Sequence, residues 1–144
     1  VEGPLHGLVG YQLAQAAVVV NRVFDEQASR RGGLRRVEYT ILALVQVNPD
    51  VTARQLARAL AVTPPNIALW IDRLEQRSWI VRTRSETDAR VQHIRLSRSG
   101  AALVDQTTKQ LLEAEAEALA ALTAAERAML AELLHKVALA RRGG

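Results

Sequence analysis

Apolar residues recur at three- and four-residue steps from about Leu5 to Arg30, through Leu5, Leu8, Val9, Leu13, Ala16, Ala17, Val20 and Phe24. That period predicts one long amphipathic helix. The glycines of Arg30-Arg31-Gly32-Gly33 supply its stop. A second helix is predicted over Val37–Val47, with Ile41, Leu42, Leu44 and Val45 inward, closed by Asn48-Pro49-Asp50. Thr52 then stands three residues before Gln55, the spacing of a capping box, and opens a short helix whose buried face is Leu56, Ala57 and Leu60. After the turn Ala61-Val62, Thr63 caps a further helix to about Arg77. Pro64 falls at its first position, where a missing N–H costs nothing.

This last helix carries Ile67, Trp70, Ile71 and Leu74 on one side and Pro64, Pro65, Asn66, Ala68, Leu69 and Arg73 on the other. The period then switches from helix to strand. Ile80–Arg84 and Val91–Leu96 read as short strands around the polar tip Ser85–Arg90. Two strands of this length are marginal alone and must pack on the helices. Val51–Ser99 is therefore a helix-turn-helix with a wing, an arrangement that places one helix in the major groove of DNA. Ser97 caps a long helix to about Ala121, lined by Leu103, Val104, Leu111 and Leu122. Thr123 with Glu126 boxes a last one to about Arg141, lined by Met129, Leu130, Leu133, Leu134, Val137 and Ala138. Together with the first helix, these expose more apolar surface than one small winged domain covers, so a partner copy is the natural complement.

The fold class is thus mainly α with a small β-hairpin. Residues 1–144 are expected to form a single domain, with 36–98 the winged helix-turn-helix and 1–31 and 99–144 the dimerisation helices. The 144 residues suffice for a real core. There is no cysteine, which excludes a disulfide scaffold, a thiolate metal site and a thiol redox sensor, and suits a cytoplasmic location. The longest apolar run, Ala16–Val20, is far too short for a membrane span. No secretory signal is visible, and the first residue is Val1 rather than Met, which leaves the native N-terminus open.

The net charge of +4 becomes informative when divided. Residues 51–99 hold nine Arg against Asp72, Glu75, Glu86 and Asp88, while the remainder holds ten basic against eleven acidic groups. All the positive excess lies in the winged region, as phosphate attraction requires. A GC-rich genome would explain Arg over Lys, of which there are two, but not the clustering.

Leu56-Ala57 with Leu60, Ile71-Asp72-Arg73-Leu74-Glu75, Trp79-Ile80-Val81-Arg82, Asp88-Ala89-Arg90 and Leu96-Ser97-Arg98-Ser99-Gly100 stand in order at family spacing. With these five fragments the chain resembles the MarR family of transcriptional regulators over nearly its whole length. The resemblance implies a homodimer with interlocked terminal helices, each subunit offering its recognition helix to half of a pseudo-palindromic operator. It implies DNA contacts from Thr63, Pro64, Pro65, Asn66 and Leu69, and from Arg84 and Arg90 on the wing. It also implies that Arg90 enters the minor groove while Asp88 holds it, which agrees with the attraction of that narrow groove for arginine. The chain departs from the family where many members have arginine and it has Leu69, and where they have a second basic residue and it has Ala89. Direct readout at Leu69 is then apolar, for example against a thymine methyl.

Thr52, Arg54, Gln55 and Arg73 complete the candidate DNA-binding set. Arg73 is read as a partner of Asp88 or a phosphate contact before a base reader, and Trp70 and Trp79 as core residues before stacking platforms. In the family, small anionic aromatics bind a crevice beside the dimer helices, and His6, Tyr11 and Tyr39 are the matching candidates here; plain packing is the competing reading of each. His6, His93 and His135 lack metal-ligand spacing, so neither a metal nor a cofactor is expected. No catalytic triad, paired carboxylates or phosphate loop is present, so an enzyme is the weakest reading. The leading one is a DNA-binding repressor released by a small aromatic acid. A winged-helix protein-interaction module, or effector-independent DNA binding, is the alternative.

Overall fold

In the computed structural model the elements are, in chain order, a 3-10 turn (Gly3–Gly7), α1 (Val9–Phe24), a π turn (Asp25–Ser29), α2 (Arg30–Gly32), α3 (Arg36–Val47), α4 (Ala53–Leu60), α5 (Pro64–Gln76), β1 (Ile80–Arg84), β2 (Gln92–Leu96), α6 (Arg98–Ala118), α7 (Ala124–Leu139) and a 3-10 turn (Ala140–Gly143). The structure describes residues 1–143; Gly144, at the end of the expected C-terminal segment, lies outside them. The chain divides into two compact units, Phe24–Leu111 and Val1–Val23 with Leu112–Gly144. Among the described residues, no helix is long and apolar enough to cross a membrane.

The first helix is shorter and less regular than its periodicity predicts. Pro4 sits in the opening 3-10 turn and Leu8 is extended, so α1 begins at Val9 rather than near Leu5. At its far end the Arg30 amide reaches five residues back to the Asp25 carbonyl, a π turn. The glycine stop is where the sequence puts it. Gly33 has φ 62°, and the amides of Gly33 and Leu34 return to the Ser29 and Ala28 carbonyls at 2.9 and 3.4 Å. That left-handed ending turns Leu34 into the core beside Ala28.

The unit Phe24–Leu111 holds the hydrophobic core. Ile41, Leu42 and Val45 of α3, Leu56 and Ala57 of α4, and Ile67, Ile71 and Leu74 of α5 are buried together with Ile80, Ile94 and Val104. Each large aliphatic contributes about 1.5–3 kcal/mol by leaving water. The capping box of α4 forms as its spacing predicts: Gln55 N–H donates to Thr52 Oγ1 at 3.2 Å, and Thr52 N–H to Gln55 Oε1 at 2.9 Å. Ala61 then adopts the left-handed conformation, φ 54°, and turns the chain toward α5. Thr63 occupies the N-cap position with extended backbone, but its side chain makes no capping bond. A capping oxygen seeks the N–H of the second or third helical residue, and here the second is Pro65, which has none.

β1 and β2 pair antiparallel, Ile80 opposite Leu96 and Arg84 opposite Gln92. A single residue between the Pro49 turn and α4 adds an isolated bridge to the other edge of β2, Val51 pairing with Ile94 and Ile94 N–H donating to the Val51 carbonyl at 2.8 Å. The hairpin is thus tied to the segment before α4 at the middle of β2. α6 is fastened to the start of β1. Ser97 Oγ accepts the Gly100 amide at 3.0 Å while donating to the Ser78 carbonyl at 2.6 Å. Gly100 is required there, because a Cβ would overlap the Trp79 carbonyl.

In the other unit, Thr123 and Glu126 form the expected capping box at the start of α7. The backbone N–H of Thr123 and its hydroxyl hold the Glu126 carboxyl below its ordinary pKa. α6 ends at Ala118, slightly earlier than the sequence suggests. No described residue of α7 is buried: Met129, Leu130, Leu133, Leu134 and Val137 all face solvent within the single chain. Leu5, Leu8, Val9, Leu13, Val18 and Val19 are likewise exposed.

Candidate nucleic-acid interface

Helix α5 turns Ile67, Ile71 and Leu74 into the core, and the 3.6-residue period therefore turns Pro65, Asn66, Leu69 and Arg73 outward. Thr63, Pro64 and Ala68 are exposed as well, and Leu69 remains 49% accessible, a high value for leucine. Prolines at the first two positions remove two of the amides that a helix N-terminus would otherwise offer to an anion. On α4, Arg54 and Arg58 are exposed. Thr52 and Gln55, partly spent on each other, stand at its start.

The wing tip is built from short polar bonds. Ser85 Oγ accepts the amides of Thr87 and Asp88 at 3.3 Å each, and Ser85 N–H closes the loop on the Val91 carbonyl at 2.9 Å. Asp88 then accepts three times from one residue: Arg90 N–H at 3.0 Å and Nε at 3.1 Å to Oδ1, and Nη2 at 3.2 Å to Oδ2. The side-chain bonds from Arg90, and then its amide, hold the Asp88 carboxyl below its ordinary range. The Arg90 side chain is nonetheless 90% exposed. A long cation is thus held through one edge of its guanidinium while nearly all of its surface stays open to solvent. Arg84, near the end of β1, is exposed. Among the described residues, no side-chain hydrogen bond or ion pair engages Arg54, Arg58 or Arg84.

The other arginines of this region are braces. Arg82 on β1 pairs with both Asp72 and, at 3.2 Å, Glu75 on α5. The acids of the Asp72-Arg73-Leu74-Glu75 run therefore fasten the wing to α5. Arg95 meets Asp50 through Nε at 2.6 Å, and His93 Nδ1 lies 2.6 Å from the Asp50 carbonyl. Arg77 donates to the Gly32 and Gly33 carbonyls and lies 3.8 Å over the Trp79 ring. Arg73, expected beside Asp88, instead stacks 5.1 Å over Trp70. Asp88 is already satisfied by a neighbour two residues away, whereas Trp70 is three residues from Arg73 on the same helix face. Trp70 and Trp79 are half-buried, each with an arginine on its ring. The i, i+3 spacing of Asp72 and Glu75 was the available signal for the Arg82 clamp; nothing local marks the partners of Arg77 or Asp50.

The candidate ligand residues have partners within the chain. His6 Nδ1 and the Tyr11 hydroxyl both meet the Glu2 carboxylate, at 3.1 and 3.5 Å. The Tyr39 hydroxyl shares a 2.6 Å bond with Thr108, and its ring tilts against Phe24. A separate open cleft of about 340 Å³ lies at the corner between α3 and α4, lined by Leu44, Val47, Pro49, Asp50, Gln55 and Ala59 among others.

Residues 34–91 match the model of the MarR family. A putative transcriptional regulatory protein for the hcr operon of Thauera aromatica is 26% identical over 137 residues, 95% of this chain and 82% of that protein. The HTH-type transcriptional regulator PecS of Dickeya dadantii is 27% identical over 128 residues, 87% of this chain and 76% of its own. Among solved structures, the transcriptional repressor CouR bound to a 23-mer DNA duplex superposes with a TM-score of 0.85 at 28% identity, covering 96% of this chain and 97% of that one. Residues 34–91 thus match the MarR family, and over most of its length the chain, with its helix-turn-helix and wing, is similar to DNA-binding transcriptional regulators.

Proposed function

We infer that the protein is a repressor that binds a pseudo-palindromic operator as a homodimer. The observation that carries the reading is Arg90, oriented by Asp88 at the tip of the hairpin and open to solvent along its length. A narrow minor groove attracts such a side chain, and an oriented one loses less freedom on entering it. In this reading α5 lies in the major groove, Thr63, Pro64, Pro65, Asn66 and Leu69 face base edges or the adjoining backbone, and Thr52, Arg54, Gln55, Arg73 and Arg84 line the phosphates. Unpaired Arg54 and Arg84 support the electrostatic part. Residues 36–98 act on DNA, and 1–31 with 99–144 dimerise. The apolar, solvent-facing α7 supports that division, since Met129, Leu133 and Val137 are costly to leave in water.

The reading extends to control by a small aromatic acid, with His6, Tyr11 and Tyr39 as contacts. Such a ligand has to displace their bonds to Glu2 and Thr108. Calorimetry with a panel of aromatic carboxylates, paired with operator titrations, tests this: a binder that leaves operator affinity unchanged is not an effector.

For the repressor itself, the test is mobility shift on DNA flanking its own gene together with sedimentation. A dimer that shifts a discrete fragment, with affinity falling steeply as salt rises, is expected. Leu133→Glu is expected to give monomers that no longer engage both half-sites. A stable folded monomer of the parent chain at micromolar concentration would contradict the account.

A further inference from the structure

The outward face of α5 limits what it can read. Through its first two turns the exposed side chains are Thr63, Pro64, Pro65, Asn66, Ala68 and Leu69, and none carries a charge. The first arginine on the helix, Arg73, lies against Trp70. Asp72 and Glu75, which could accept from a cytosine amine, are committed to Arg82. Arg77 is committed to Gly32 and Gly33. Guanine is read chiefly by arginine or lysine on O6 and N7, and this surface presents neither. It presents one amide side chain, Asn66, and one long apolar side chain, Leu69, three residues apart and therefore adjacent on the helix. Asn66 makes no hydrogen bond through its side chain among the described residues, so its donor and acceptor are both available. A carboxamide of this kind matches the N6 and N7 edge of adenine, and an exposed leucine beside proline and alanine matches the C5-methyl of thymine.

We propose that α5 selects an operator half-site whose major-groove centre is made of A·T pairs, with Asn66 on an adenine and Leu69 against a thymine methyl. The inference rests on the reading of α5 as the major-groove helix and adds what that helix recognises. Specificity in this chain then comes from one bidentate amide and a methyl-sized apolar contact. The arginines of α4 supply affinity without base choice, and the wing arginine responds to groove width rather than to base edges.

The test is selection by the full chain from a library of randomised duplexes, followed by titration of the enriched site with two modified bases. Enriched half-sites are expected to share an A·T centre. Replacing the central thymines by deoxyuridine, which removes only the methyl, is expected to weaken binding about threefold to tenfold, and 7-deazaadenine at the Asn66 position about tenfold. Asn66→Ala is expected to lose the preference at that adenine while still binding, and Leu69→Ala to bind thymine and uracil duplexes equally. Both residues are exposed, so neither change threatens the fold. Enrichment of G·C centres, or an Asn66→Ala protein with unaltered preference, would overturn the inference and leave DNA binding standing. Failure to enrich any sequence would overturn both the inference and the operator reading beneath it.

Discussion

Arg77 Nη1 donates to the Gly33 carbonyl at 3.1 Å, joining the residue that ends α5 to the left-handed glycine that ends α2. Nη2 adds the Gly32 carbonyl at 3.2 Å, and the Trp79 ring lies 3.8 Å beneath the guanidinium. A planar fork above carbonyls that no helical amide can reach is a geometry that lysine cannot copy.

Arg77→Ala is therefore expected to destabilise the fold by about 1.5–3 kcal/mol, the range of hydrogen bonds from a charged donor. Arg77→Lys should recover less than half of that loss. Urea unfolding monitored at Trp79 checks both, and a lysine variant as stable as the parent would reduce the interaction to simple charge.

Gly100→Ala is expected to cost about 3 kcal/mol, the upper end of overpacking, because the added Cβ would overlap the Trp79 carbonyl. Backbone stands in the way, so no side chain can swing aside. Ser97→Ala removes the cap on Gly100 and the bond to Ser78 and should cost about 1–2 kcal/mol. Thermal melts of the two variants and their combination, in which the losses should not add, check the shared joint.

The Asp88 carboxyl titrates below its ordinary 3.8 because Arg90 donates to it, first through its side chain and then through its amide. A depressed carboxylate stabilises the fold in its ionised form. That contribution is complete above the unfolded pKa and is lost as pH falls through the lower folded one. The wing tip should thus be unchanged from pH 8 to pH 5 and loosen only in acid below 3.8. Carbon-detected NMR titration of Asp88 follows this directly. Arg90→Ala should raise the midpoint toward the ordinary value, and a parent midpoint at or above 3.8 would contradict the pairing.

Much of this architecture is legible in the chain because its signals are local. Thr52 with Gln55, Thr123 with Glu126 and Ser97 with Gly100 are three-residue patterns, and each forms the bond that its spacing predicts. The inward face of α5 follows from one helical period. Thr63 is the informative failure: Pro65, at the second helical position, removes one of the two amides its side chain could cap, and no capping bond forms. The Val51–Ile94 bridge and the Arg95–Asp50 pair join residues 43 and 45 positions apart. No period or spacing marks such pairs. The arginines were hardest to sort: all nine of residues 51–99 look alike as a charge cluster, yet Arg82, Arg77 and Arg95 are spent on the fold. Only the partners of each separate braces from free cations.

The most direct measurement is the affinity of the dimer for its operator with and without the wing arginine, by fluorescence anisotropy at fixed salt with sedimentation on the same samples. The account predicts that Arg90→Ala weakens operator binding about tenfold to a hundredfold while the dimer stays intact, with Asp88→Ala losing less because only orientation is lost. Equal operator affinity of the parent and a folded, dimeric Arg90→Ala protein would contradict it and remove the wing from DNA recognition.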